Sequence, residues 1–290
     1  MQTCGQSQDA DLKVSATRHM PHARTRQIGS PTNSLVKVYR RALAEGTTRD
    51  GWLAVEGPFL VKEALAAAPS VRTHSVLMTE NAGAKFARLL ERLPAEAEAV
   101  EVPDRVFEQV AQTQTPQGIA ALVELPPHDL DTILAGRNLL LLVACGLQDP
   151  GNLGTLMRSA AAFGASALCT LAETVSPYNP KTVRSSAGAI FHLPVLHDLS
   201  VNDLLYRLRA ARVRIVAADR RSTSPLDQAD LRGSVAIMVG REASGLPPEI
   251  SREASLVLSI PIRPGMDSVN AATAGSVFLY EAARQRGFKY

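Results

Sequence analysis

The chain of 290 residues is 46% apolar, carries 31 Lys+Arg against 28 Asp+Glu, and has 7 Phe, 5 Tyr and 1 Trp. That composition excludes wholesale disorder and predicts a soluble globular protein of about two domains. No apolar run approaches the ~18 to 20 residues that cross a bilayer, and the N-terminus lacks a signal-peptide core, so a cytoplasmic protein without a membrane partner is expected.

Residues 1–30 mix Gln, Ser, Thr, His and Arg with no apolar period and end in Gly29-Ser30-Pro31, which predicts a disordered tail. Residues 31–125 alternate short β-like and helical runs. Strands are expected at Trp52 to Val55, Val71 to Met78, Val100 to Val102 and Ile119 to Val123. Helices are expected at Leu35 to Ala44, Pro58 to Ala67, Ala84 to Leu93 and Asp104 to Ala111. This is a small α/β domain. Residues 126–136, opening on Pro126-Pro127-His128-Asp129, read as a linker because prolines and acids interrupt both periods.

Over residues 137–290 the alternation restarts. Leu139 to Ala144, Ala167 to Leu171, Val213 to Ala218, Val235 to Val239 and Leu256 to Ile260 are continuous apolar runs, the pattern of strands buried on both faces of a parallel sheet. Helices fit at Asn152 to Phe163, Lys181 to Ala189, Val201 to Ala211, Pro247 to Glu253 and Ser268 to Arg286. A second, larger α/β domain with a mainly parallel sheet follows. Cys4, Cys145 and Cys169 are an odd, widely spaced set, and the six histidines show no ligand spacing, so neither a disulfide framework nor a metal site is expected.

Ligands of open parallel sheets bind beyond the carboxyl ends of strands, and three loops there stand out. The first, Gln148-Asp149-Pro150-Gly151-Asn152-Leu153-Gly154, opens a helix whose apolar stripe of Leu153, Leu156, Met157 and Ala160 leaves Arg158 off the buried face. It also fits an ordinary turn and helix cap with a solvated arginine. The second, Gly240 to Pro247, holds Glu242 between Gly240 and Gly245, where the backbone can approach a ligand; a surface turn would look the same. The third runs from Ile260-Pro261 through Met266 to Ser268-Val269-Asn270, with apolar side chains suited to a flat ligand such as an adenosine. Ser268 is a natural helix cap. Asn270, one turn inside the expected helix, is disfavoured there and points to a role.

Together, N-x-G-x-x-x-R (Asn152, Gly154, Arg158), G-x-E-x-x-G (Gly240, Glu242, Gly245) and I-P followed by S-x-N (Ile260, Ser268, Asn270) resemble the signature motifs of the SpoU/TrmH family of RNA 2'-O-ribose methyltransferases, within the SPOUT superfamily. Val55-Glu56-Gly57 and Gln117-Gly118-Ile119-Ala120 are similar to the small substrate-binding domain that precedes the catalytic domain in many members. The resemblance implies a deep trefoil knot in the C-terminal domain, which general rules of chain topology would not predict. It further implies a homodimer, and S-adenosylmethionine as methyl donor with S-adenosylhomocysteine as product. Carried over by motif, the cofactor-binding positions are Gly240, Ile260 and Val269, with Gly245, Met266 and Ser268 nearby. Val269 stands where the family has Leu, and Ala272 where it has Ser.

The reaction implied is in-line attack of a ribose 2'-hydroxyl on the donor's methyl group, so the protein orients, stabilises the alkoxide and removes a proton. Arg158 is the family's catalytic position, yet its guanidinium is too basic to act as a general base. Pairing with an RNA phosphate and the developing alkoxide is the role that fits, with Asn152 and Asn270 positioning the ribose and arginine, Glu242 orienting the loop or the arginine, and Ser268 beside them. Lys181 and Arg184 share a helical face that can grip phosphate. The arginines at 207, 209, 212 and 214 read more readily as a solvated face. Structured RNA is the implied partner. The two-domain layout favours 23S ribosomal RNA, with transfer RNA, or an RNA-binding protein without transferase activity, as alternatives. A nucleotide-dependent dehydrogenase fits poorly, because the first apolar strand is followed by Gln148-Asp149-Pro150-Gly151 and not by G-x-G-x-x-G.

The formal charge of +3 conceals an asymmetry: +2 over residues 1–30 (4 bases, 2 acids), −4 over 31–136 (10, 14) and +5 over 137–290 (17, 12). Positive charge gathers in the larger domain. With so few aromatics, base-stacking platforms cannot dominate RNA recognition, and phosphate and ribose contacts must carry more of it.

Overall fold

Two sheets account for the two stretches of alternating segments in the structure, a computed structural model that describes residues 25–241 and 244–289. The small domain comprises β1 (Thr25–Gln27), α1 (Ser34–Glu45), β2 (Leu53–Glu56), α2 (Pro58–Ala66), β3 (Arg72–Met78), α3 (Glu80–Lys85), α4 (Ala87–Leu90), β4 (Glu98–Glu101), α5 (Asp104–Glu108) and β5 (Ile119–Glu124). Its strands lie in the order β1-β4-β3-β5-β2, with β5 antiparallel to both neighbours and the remaining pairs parallel. The predicted helix Ala84 to Leu93 is divided at Phe86, which ends α3 and caps α4.

Two expectations need correction. Residues 25–27 are not part of a disordered tail: they form the edge strand β1, with Arg26 and Gln27 bonded to Glu98 and Glu101 of β4 at 3.3 and 2.8 Å, and Ile28 buried behind them. An edge strand tied by polar side chains needs no apolar period, so the sequence pattern was silent. The rest of the expected tail, residues 1–24, lies outside the described residues. The linker at 126–136 is only half irregular, because α6 (Leu130–Leu134) follows an Asp129 cap and buries Leu130.

The larger domain comprises β6 (Leu140–Ala144), α7 (Pro150–Ala162), β7 (Ala167–Leu171), α8 (Pro180–Ser185), β8 (Val195–Leu199), α9 (Val201–Ala210), β9 (Arg214–Ala218), β10 (Val235–Val239), α10 (Pro248–Glu253), β11 (Leu256–Leu258) and α11 (Ala271–Gln285). Its six strands run parallel in the order β11-β9-β10-β6-β7-β8. Every residue of β6, β7 and β10 is buried, as continuous apolar runs demand. β8 was not predicted: as the outer strand it exposes His197 and Asp198 and so lacks such a run.

Helices cover both faces of this sheet. α7 and α11 pack on one side through Leu153, Leu156, Met157, Phe278 and Leu279, while α6, α9 and α10 pack on the other through Leu130, Leu204, Leu208 and Ile250. The first of these cores continues without a break into the small domain, joining Leu53, Val61 and Ile119 to Val183, Ile190 and Phe191. At the seam Gly46, with φ 102, meets the backbone of Tyr178, and Glu63 faces His192 at 3.7 Å. No described helix is long and apolar enough to cross a membrane.

Candidate functional site

The buried strand β10 delivers its carboxyl end to Gly240. A Cβ there would lie 2.7 Å from the nitrogen of Leu246, because the loop closes on itself: Arg241 and Gly245 exchange backbone hydrogen bonds of 3.1 and 3.0 Å, with Gly245 at φ 72. The two glycines thus make a tight hairpin, as their spacing predicts. Glu242 lies outside the described residues.

The loop after β6 enters α7 through Asp149, whose Oδ1 accepts the Asn152 backbone N–H at 2.8 Å, with Pro150 in the first turn. That bond, with Lys181 nearby, holds the Asp149 carboxyl below its ordinary value. Gly154 is explained by packing: a Cβ would sit 2.5 Å from the carbonyl oxygen of Thr182 in α8. Arg158 is exposed, off the buried stripe, and has no ion pair among the described residues.

The third segment ends in a different cap from the one expected. α11 begins at Ala271, so Ser268 is not its cap and Asn270 is not inside it. Asn270 Oδ1 accepts from the backbone N–H groups of Ala272 and Thr273 at 2.8 and 3.3 Å, and its Nδ2 donates to Asn152 Oδ1 at 3.0 Å. One side chain therefore starts the last helix and reaches the first motif. The capping explains why Asn is tolerated there, and the bond to Asn152 is what marks the site.

These segments enclose a cavity of about 280 Å³ at the carboxyl ends of β9 and β10. Of the expected residues, Gly240, Gly245, Ser268, Val269 and Asn270 line it, and Asn152 stands at its rim through Asn270. Ile260 and Met266 are not among its lining residues, Met266 being 63% exposed. Arg158, Lys181 and Arg184 stand outside it, on the exposed faces of α7 and α8. Sequence reasoning missed Asp219, just after β9, whose carboxyl is held below its ordinary value chiefly by its hydrogen bonds from Arg221 at 2.9 and 3.1 Å. The carboxyl-end rule applied to β9 would have found it.

The donor set suits S-adenosylmethionine. Ala218, Val239, Leu246, Val269 and Ala271 offer apolar surface for a purine, and the peptide groups around Gly240 and Ser268 offer hydrogen bonds to its polar parts. Among the described residues no cluster of His, Cys, Asp or Glu could hold a metal. The thiols of Cys145 and Cys169 are pushed up by burial, Cys169 to about 12, which makes both poor nucleophiles.

Residues 139–280 match the model of the SpoU rRNA Methylase family, and residues 35–121 that of the MRM3-like substrate binding domain. The 23S rRNA (guanosine(2553)-2'-O)-methyltransferase of Bacillus subtilis is 30% identical over 88% of this chain and 98% of its own length. This chain belongs to the SpoU family. Among solved SpoU-type structures, the AdoMet-bound rRNA methyltransferase from Sinorhizobium meliloti superposes with a TM-score of 0.79 at 29% identity, covering 90% of this chain and 98% of the other. AviRb from Streptomyces viridochromogenes, in complex with the cofactor AdoMet, gives 0.77 at 27% identity, covering 89% and 100%. The two family models thus match successive stretches of this SpoU protein, residues 35–121 and then 139–280.

Three of the four arginines at 207, 209, 212 and 214 have structural employment. Arg207 pairs with Asp131 at 2.6 Å and Asp203 at 2.9 Å, Arg209 with Glu253, and Arg214 with the carbonyls of Asp230 and Arg232. Lys181 is partly compensated by Asp149 at 3.4 Å, so Arg184 is the freer cation of that pair.

Proposed function

We propose that this chain transfers the methyl group of S-adenosylmethionine to a ribose 2'-hydroxyl of structured RNA, with 23S ribosomal RNA as substrate. The observation that carries the reading is the Asn270–Asn152 hydrogen bond at the rim of the Gly240–Gly245 cavity, which joins all three motifs in one place. The named activity of the B. subtilis relative, matched over 88% of this chain and 98% of its own length, supports the choice of RNA.

When bound in that cavity the cofactor supplies an activated methyl group on a sulfonium. Gly240, Gly245, Ser268 and Val269 bind it, Asn152 and Asn270 position the ribose and Arg158, and Glu242 orients the loop or the arginine. Arg158 donates to an RNA phosphate and to the oxygen that gains charge, and the phosphate takes the proton. Lys181 and Arg184 hold flanking phosphates. The C-terminal segment is threaded as the family's knot, and the protein is a homodimer: Val277 and Tyr280 of α11 stay exposed although Tyr280 lies edge-on to Phe163 and beside Phe288, which leaves an apolar face for a second copy to cover.

Calorimetry with S-adenosylmethionine, followed by labelled methyl transfer to total RNA from a strain lacking the gene, tests the reading. Micromolar binding and transfer to a 2'-oxygen are expected, with Arg158→Lys lowering kcat on the order of 10²-fold. Absence of cofactor binding would overturn the assignment, and near-normal turnover by Arg158→Lys would overturn the bidentate role. Binding to RNA should weaken steeply with salt, and less steeply in Arg184→Ala. Sedimentation at micromolar protein tests the dimer, which a monomer with full activity would exclude.

A further inference from the structure

A second cavity, of about 520 Å³, lies on the other side of the hairpin that walls the cofactor cavity. Arg241, Ser244, Gly245 and Leu246 line both, so the two are one loop apart. The cofactor cavity occupies the carboxyl ends of β9 and β10. The second lies beyond the carboxyl ends of β6, β7 and β8 and is walled by the loop after β10, so it reaches the β6–β10 boundary where strand order reverses, which is where open α/β sheets take ligands. Nothing in the transfer reaction as described employs it.

Its walls are largely apolar: Leu171, Leu199, Val201, Leu246, Pro247 and Pro248. At its edge stands one ordered polar device. Arg241 Nε donates to the carbonyl of Gly146 at 3.0 Å and Nη2 to Glu173 Oε2 at 2.5 Å, which holds the guanidinium plane still across the mouth. Gly146 has φ 73, and a Cβ there would lie 2.5 Å from Arg241 Nε, so the glycine is what admits the arginine. A slot with apolar walls and a fixed guanidinium plane suits an unstacked heterocycle, which needs two flat faces and a few edge hydrogen bonds. The size falls within the range of small-ligand sites. The same segment that supplies Cys145 and Gly146 runs on into Asn152 and Arg158, so an occupant is tethered to the ribose side of the reaction.

Resting on the functional reading above, we infer that this cavity receives a nucleobase of the substrate RNA next to the methylated ribose, and that Arg241 and Glu173 read its edge. Such a site supplies base recognition that the scarcity of aromatic platforms otherwise leaves unprovided.

Val201→Trp fills the slot from the first turn of α9, and Glu173→Gln alters its exposed rim without touching the core. With wild-type protein transferring methyl to RNA from a strain lacking the gene, Val201→Trp is expected to keep its S-adenosylmethionine Kd within twofold and lose at least tenfold in kcat/KM for RNA, mainly through KM. Glu173→Gln is expected to raise KM several-fold with kcat little changed, and it decides the matter if Val201→Trp melts early. RNA kinetics within twofold of wild type in a folded Val201→Trp, or in Glu173→Gln, overturn the inference while leaving the transferase reading intact. Failure of the wild-type protein itself to methylate RNA overturns both. Saturation-transfer spectra with the four nucleoside 5'-monophosphates give a direct probe. Base-proton signals lost on adding RNA and in Val201→Trp support the RNA base, whereas signals that RNA does not displace assign the cavity to a free nucleotide and overturn it.

Discussion

Asn270 does two jobs with one amide, and they can be separated. Its Oδ1 caps α11 while its Nδ2 reaches Asn152. Asn270→Ala is expected to cost about 1 kcal/mol of stability through the lost cap, and Asn270→Ser to restore most of that while methyl transfer stays low. Thermal melts beside activity assays check this, and full activity in Asn270→Ser would show that the Asn152 contact is dispensable. Acid sensitivity is set by carboxyls whose values are depressed in the fold. Asp230, bonded by the side chain and backbone of Arg232, sits down at about 2, and Asp149, Asp219 and Glu281 are lowered too. A depressed carboxyl stabilises the fold fully above its ordinary value of about 3.9, and that contribution is lost as pH falls through the folded-state value. Melting temperature should therefore decline from about pH 4 toward pH 2. The gap between wild type and Asp230→Asn should narrow over the same interval, and a gap undiminished at pH 2 would refute the assignment.

At the level of elements, the close approach of α7 to α8 rests on Gly154. An alanine there would press on Ser185 and, at 2.5 Å, on the carbonyl oxygen of Thr182, which belongs to the backbone and cannot rotate away. Gly154→Ala is expected to destabilise by about 1–3 kcal/mol, and Ser185→Ala added to it should recover only part. Full recovery in the double variant, read by denaturant unfolding, would place the strain in the side chain alone. α11 is fastened at both ends. Gly275 lets it settle against Val239 of β10 with 3.2 Å to a virtual Cβ, and at its far end Arg286 donates to the carbonyls of Asn138, Leu139, Leu231 and Gly233. The small-residue face of this helix, Ala271, Ala272 and Gly275, thus packs within the chain, while Ala274 lines the cofactor cavity.

For the whole molecule, the shared core predicts that the two domains unfold together. Residues from both sheets belong to one apolar cluster, and Gly46 lies against Tyr178 with a virtual Cβ 2.9 Å from its carbonyl carbon. Calorimetry should show one transition, and two resolved transitions would contradict the continuity of the core. Gly46→Ala adds both that clash and a strained φ of 102, so it should lower the melting temperature without separating the domains. The charge asymmetry retains its meaning in three dimensions: many arginines of the larger domain are bonded to acids or carbonyls, while Arg158 and Arg184 stand on the exposed faces beside the site and Arg220 lines its cavity.

The alternation of apolar runs determined five of the larger domain's six strands and their parallel sense, because a strand buried on both faces must be apolar throughout, and the three motifs named the cavity's glycines and Asn270. Short edge strands such as β1 and β8 escaped, since β1 is held by polar side chains and β8 buries only Val195 and Leu196 before exposing His197 and Asp198, too little for an apolar run. Tertiary structure alone decided that Asn270 meets Asn152, that Asp219 lines the cavity, that the arginines of α9 are spent on ion pairs, and that two cavities share one hairpin. Each of these joins residues far apart in the chain, and local periodicity carries no record of which distant segments the core will press together.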